Sequence, residues 1–118
     1  MPRLLVHIAT APQDPTRLAL GLLVARTARA QGHDVDVFVA GDAVHVLRPD
    51  ARETVQGLGT GNASEHWAEL QRSGARLFAS GNSARAREIS PQEAEGVELA
   101  APDRLVELIM AADRVVTY

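Results

Sequence analysis

Apolar residues fall along this chain in short runs separated by longer amphipathic stretches. Leu4 to Ala9 is one run, bounded by Pro2 and by a loop holding Pro12 and Pro15. A short apolar segment between turn signals reads as a strand buried on both faces, the pattern of a parallel sheet. Asp14-Pro15 opens a helix, an N-cap acid followed by proline at the first helical position. That helix is expected to run to about Gln31 and to stop at Gly32, since glycine tolerates the left-handed turn after a helix. Leu18, Leu22 and Ala25 make one stripe on it. Leu20, Leu23 and Val24 widen the stripe beyond what one sheet face covers, which points to a subunit contact.

Val35 to Ala40 is the second strand, ended by Gly41-Asp42 and followed by a helical turn through Val44 to Leu47. Residues 48–63 lack periodicity and contain Gly57, Gly59 and Gly61. They predict a mobile loop, or a weak helix followed by a turn. Ser64 is expected to cap a helix ending near Ser73 and Gly74. Ala75 to Ala79 is the third strand. Ser80-Gly81-Asn82 reads as a tight turn, with Ser83 capping a short helix through Ile89. Ser90-Pro91-Gln92-Glu93 fits a capping box. Val97 to Leu99 is a short strand, Asp103 to Ala112 a helix with Leu105, Leu108, Ile109 and Ala112 on one face, and Arg114 to Thr117 the last strand. Strand and helix alternate throughout. The expectation is one α/β domain over residues 1–118, a three-layer sandwich with a mostly parallel, flavodoxin-like sheet.

Composition narrows the chemistry. The 118 residues are 46% hydrophobic and 23% charged, ordinary for a globular domain. The net charge of −3 and 3% aromatic content lack the basic stripe and stacking rings of nucleic-acid binders, so no nucleic acid is expected as partner. The absence of cysteine excludes disulfides, thiolate metal ligands and thiol nucleophiles. All twelve basic residues are arginine, which removes a Schiff-base lysine and the lysine of a P-loop. Ala9-Thr10-Ala11 mimics a cleavage site, but the run before it is too short for a signal peptide and is interrupted by His7. With no stretch long enough to span a bilayer, no membrane partner and a cytoplasmic location are expected.

Open parallel sheets bind ligands beyond the carboxyl ends of their strands. That rule selects a candidate ligand-binding edge of Thr10, Asp42, His45, Ser80, Asn82 and Arg87. His45 lies three residues after Asp42, so a helical turn would bring the two together. Each has a plainer role too: Asp42 as a turn cap, His45 as a surface residue, Arg85 and Arg87 in salt bridges. His7 is expected in the core with its ring nitrogens satisfied, His33 in a turn and His66 at an exposed helix start. No histidine pair has metal-ligand spacing, and neither metal nor cofactor is expected. Phe78-Ala79-Ser80-Gly81-Asn82 lacks the first glycine of a nucleophile elbow. The Thr10–Thr16 segment carries two prolines where a phosphate loop needs backbone N–H donors. No catalytic residue is assigned.

Several segments together resemble the DsrE-like family. They are Asp14-Pro15-Thr16-Arg17, Gln31-Gly32-His33-Asp34-Val35, Phe38 to Val44, Gly74-Ala75, Ala79 to Arg87, and Ala112 to Tyr118. The resemblance implies a small parallel α/β sandwich that assembles into trimers or hexamers. Some members of that family carry sulfur as a cysteine persulfide, on a cysteine just after the third strand in the pattern A-C-G-x-S-A-x-A-R-G-I. That position is Ser80 here, and Glu88 stands where the pattern has glycine. A serine hydroxyl cannot hold a persulfide. Family relay complexes include cysteine-lacking subunits beside cysteine-bearing ones. The expected partners are therefore further copies of this chain, or a cysteine-bearing DsrE-like paralogue.

Overall fold

The computed structural model describes residues 2–118. In chain order the elements are β1 (Arg3–Ile8), α1 (Pro15–Ala30), β2 (Asp34–Val39), a 3₁₀ segment (Gly41–Leu47), α2 (Pro49–Thr54), β3 (Gln56–Gly57), β4 (Gly61–Asn62), α3 (Ala63–Ser73), β5 (Arg76–Ser80), α4 (Gly81–Ala86), a second 3₁₀ segment (Pro91–Ala94), β6 (Glu98–Ala100), α5 (Pro102–Ala111) and β7 (Arg114–Thr117). β1, β2, β5, β6 and β7 form one parallel sheet in the order β6-β5-β2-β1-β7. The expected α/β sandwich with a parallel sheet is thus observed.

Handedness decides where the helices go. Three crossovers step outward from β1 to β2, β5 and β6, and right-handed connections stepping the same way lie on the same face. The large core accordingly joins Leu18 and Leu22 of α1, Trp67 and Leu70 of α3 and Ala84 of α4 to Val6, Ile8, Val37 and Val39. The last crossover jumps back across the sheet to β7, so α5 lies on the opposite face. There a smaller core joins Leu108 to Leu5, Phe38 and Phe78. One helix is about 10 Å across, whereas five strands span roughly 19 Å between their outer axes. The α5 face is therefore only partly covered. Val106, Ile109, Met110 and Val115 are exposed there.

Local chemistry accounts for most element ends. Asp14 accepts from Arg17 N at 3.3 Å to start α1. At its other end Gly32 N donates to Arg29 O and His33 N to Ala28 O, the paired bonds of a Schellman stop with Gly32 at φ 92°. Asp36 is fully buried under the α5 face. It is held by Arg76 at 2.6 and 2.8 Å and by Arg3 at 3.1 Å, which ties β1, β2 and β5 side by side. Arg76 keeps its charge more firmly than usual because it donates to Asp36.

Three local expectations are corrected. Residues 56–62 are not an irregular loop but a small hairpin of β3 and β4. Leu58 N donates to Thr16 Oγ1 and Thr60 Oγ1 donates to Thr16 O, both at 3.0 Å, so the hairpin is pinned to α1. Residues 49–54 do form the weaker alternative, a short helix. The cap of α3 is Asn62 rather than Ser64: its Oδ1 accepts from Ser64 N and Glu65 N at 2.9 and 3.3 Å. Ser80-Gly81-Asn82 is the first turn of α4, and Ser80, not Ser83, is its cap.

His66 is buried, not exposed at a helix start. Its Nδ1 faces Arg26, which can only donate, so Nδ1 accepts and Nε2–H donates to Thr60 O at 2.7 Å. Gly61 has φ 82°, and a Cβ there would lie 2.8 Å from His66 Nε2. Gly59 has a similar φ of 78° with nothing within 4 Å. Gly59→Ala should therefore cost only backbone strain, roughly 1 kcal/mol. Gly61→Ala should cost at least about 1 kcal/mol more, because it also displaces a buried ring. Urea denaturation of the two variants checks this, and equal losses would contradict it.

Candidate functional site

The carboxyl ends of β2 and β5 bring three of the six candidate residues into one bonded cluster. Ser80 closes β5, and its Oγ accepts from Ser83 N at 3.1 Å, satisfying an otherwise unpaired donor of α4. Ser83 Oγ accepts from Gly41 N at 2.9 Å and so ties α4 to the turn after β2. One residue on, Asp42 Oδ1 accepts from Arg87 Nη2 at 2.8 Å and Nε at 3.1 Å. Arg87 Nη1 donates to Ser83 O at 3.1 Å. Asp42 is not a turn cap; its carboxylate pairs across to the end of α4.

The other three candidates stand apart. Asn82 is exposed and its amide oxygen accepts from Arg85 on the outer surface. His45 is half-buried and, among the described residues, its side chain makes no hydrogen bond to Asp42. The 3₁₀ geometry of residues 41–47 stacks positions three apart on one side, yet the Asp42 carboxylate is taken by Arg87 instead. Thr10 follows β1, at the other side of β2 from Ser80, and likewise makes no bond to the cluster.

Two features of the site escaped sequence reasoning. First, the strand order reverses direction between β1 and β7, which makes that junction the topological switch point. A cleft of about 520 Å³ lies there, lined by Asp14, Thr16, Arg17, Leu20, Thr117 and Tyr118. Tyr118 is fixed by bonds from its N to His7 O at 2.8 Å and from Ala9 N to its O at 2.9 Å. Its ring packs close to Gly21, where a Cβ would lie 3.2 Å away. Nothing in the local sequence signals this cleft, because strand order is a long-range property. Second, His7 is not the satisfied core histidine expected. Its Nε2 is buried without a hydrogen-bond partner while its ring meets Phe38 edge-on at 5.9 Å. It sits on the partly covered α5 face, beside Phe38 and Thr117 in register.

The family model for DsrE/DsrF-like proteins matches residues 3–118. The chain belongs to the DsrE/DsrF-like family. Among solved structures, this DsrE/DsrF-like chain is similar to the YchN protein from E. coli, with 24% identity over 100% of both chains and a TM-score of 0.77. It is also similar to a conserved protein of unknown function from Bacteroides thetaiotaomicron. That match has 12% identity, covers 98% of this chain and 94% of the other, and has a TM-score of 0.73. At these identities the two structures support the fold. No curated protein matches the chain. No helix among the described residues is long and apolar enough to cross a membrane.

Burial holds the His7 imidazole below its ordinary value of 6.5, since the charged ring loses hydration and gains no acceptor. The unfolded chain therefore takes up this proton first as pH falls. Above about pH 6.5 the group leaves stability unchanged. Below that value stability declines until the folded-state pKa is passed. His7→Phe should remove this part of the acid dependence. The check is urea denaturation of both proteins at pH 7.5 and 5.5: the wild type should lose more stability between them, and equal losses would contradict the assignment.

Proposed function

We propose that this DsrE/DsrF-like chain is a non-enzymatic, oligomeric binding protein that engages a small ligand or partner at the strand-end edge around Asp42, Ser80 and Arg87. Thr10, His45 and Asn82 form its flanks. The observation that carries the reading is the state of the polar groups at that edge. Ser80 occupies the position where some relatives carry a sulfur-bearing thiol, and its hydroxyl is committed to the α4 cap. Asp42 and Arg87 neutralise each other. Neither Ser80 nor Asp42 is thus the free nucleophile or free base that covalent catalysis requires.

The partly covered α5 face supports assembly into a trimer or hexamer. Val106, Met110 and Val115 are exposed by 56%, 79% and 42%, which leaves large apolar side chains of α5 and β7 in solvent. The same exposed residues favour a second reading, a non-catalytic subunit paired with a cysteine-bearing DsrE-like paralogue in an intracellular sulfur relay. The half-buried Leu20, Leu23 and Val24 of α1 offer a further contact.

Native mass spectrometry of the complex purified from its own cells separates the two readings. A homo-oligomer supports the first, and co-purification with a cysteine-bearing relative supports the second. A monomer at every concentration contradicts both. Met110→Asp should weaken the assembly by about 100-fold or more while the fold survives, since a charge would be buried without a partner in the interface. The paired changes Ser80→Ala and Asp42→Ala should abolish binding of the captured partner. Together they cost the fold only about 2 kcal/mol, from a lost helix cap and a lost surface ion pair. Unchanged partner binding would remove the strand-end edge from the site.

A further inference from the structure

A separate cleft of about 550 Å³ lies between α2, α3 and the 91–94 segment. Its volume is in the range of small-molecule sites, roughly 300–1,000 Å³. Arg52 is its electrostatic centre. Nη1 of Arg52 donates to Val46 O at 2.7 Å and Leu47 O at 3.1 Å. The guanidinium lies 5.5 Å over the ring of the buried Trp67. Nε is buried with no hydrogen-bond partner. Among the described residues no carboxylate comes within ion-pair distance of it, unlike Arg48, Arg76 and Arg87. Burial lowers its pKa, with only the more distant charge of Glu53 acting the other way.

A half-buried cation anchored on carbonyls and an aromatic ring, with no counter-ion, gains when an anion arrives. The walls restrict which anion. Pro49 is apolar, and Gln92 and Gln71, whose Nε2 donates to Glu95 O at 3.4 Å, bring side-chain amides. Glu93 is also present but is already engaged: it accepts from Arg48 Nε at 2.8 Å and from Ser90 N at 3.0 Å, and Arg48 holds its pKa low. Glu95 is exposed and pairs with no basic side chain among the described residues. The cleft thus offers one uncompensated cation inside and one uncompensated carboxylate among its lining residues, around a short apolar wall. Multiply charged anions would meet Glu93 and Glu95, whereas a zwitterion complements both signs.

We propose that this cleft binds a small zwitterionic α-amino acid, its carboxylate on Arg52, its ammonium toward Glu95 and a short aliphatic side chain against Pro49. The site shares no residue with the strand-end edge and does not rest on the function proposed there.

The test is a ¹⁵N-HSQC titration of the full chain with L-valine and, separately, with acetate. L-valine should give saturable shifts confined to the amides of residues 47–52, 71 and 92–96. Acetate should shift the same amides with about tenfold weaker affinity, because it lacks the ammonium and most of the apolar contact. Glu95→Gln should weaken L-valine at least about fivefold and leave acetate unchanged. Arg52→Lys keeps a charge and a donor for Val46 and Leu47 but loses the planar fork, so it should weaken both ligands. The dispersion of each variant's spectrum shows that it is folded. No saturable shift with either ligand, or shifts lying elsewhere, would overturn the proposal. Equal affinities for the two ligands with no effect of Glu95→Gln would also overturn it, leaving a simple anion site.

Discussion

The right-handed crossover governs this molecule. A right-twisted strand feeding a right-handed helix returns to the sheet in one sense, so the direction of each step selects a face. Three steps outward from β1 place α1, α3 and α4 together and build a deep core around Trp67, Leu22 and Ile8. The single step back to β7 leaves α5 alone on the other side. The exposed Val115 and the orphaned ring nitrogen of His7 lie on that thinly covered face, beside an α5 that exposes Val106 and Met110. One connectivity thus explains why the chain is well packed on one side and presents apolar surface on the other.

Asp36 shows how the thin face is made tolerable. An unpaired carboxylate buried beneath one helix would be costly, yet this one bridges Arg3 and Arg76 across three strands. Both arginines reach solvent while Arg76 and Arg104 also lie over the Phe78 ring, at 5.7 and 5.3 Å. Long guanidinium side chains thereby cover apolar sheet surface that a second helix would otherwise bury. Arg104 is fixed in turn by Glu98 and Glu107, which strengthen its hold on the proton.

Much of the functional reading turns on hydrogen bonds that are already made. Ser80, Ser83, Gly41, Asp42 and Arg87 form a closed network at the ends of β2 and β5. Such a network fixes the geometry of the edge and commits the Ser80 hydroxyl and the Asp42 carboxylate to partners within the chain. Arg52 is the contrasting case. Its neighbours satisfy one nitrogen and leave the charge unanswered. The two clusters differ in whether their polar groups are compensated within the chain, which is what sets the cost of burying them.

The strand runs, the Asp14-Pro15 start, the Gly32 and Gly74 stops and the capping box at Ser90 were legible in the sequence because each depends on bonds within a few residues. The family pattern, with serine at position 80, was legible for the same reason. The Gly57–Gly61 hairpin was not, since what orders it is Thr16, over forty residues away in the chain. Nor was the burial of His66 against Arg26, or the pairing of Asp42 with Arg87 rather than His45. The switch-point cleft and the Arg52 cleft follow from strand order and from three segments meeting in space. Local hydrogen bonding is written in neighbouring residues, so the sequence by itself determined the elements and the missing thiol. Charge compensation and burial depend on which distant segments meet, so only the tertiary structure decided which polar groups are spent and which remain open.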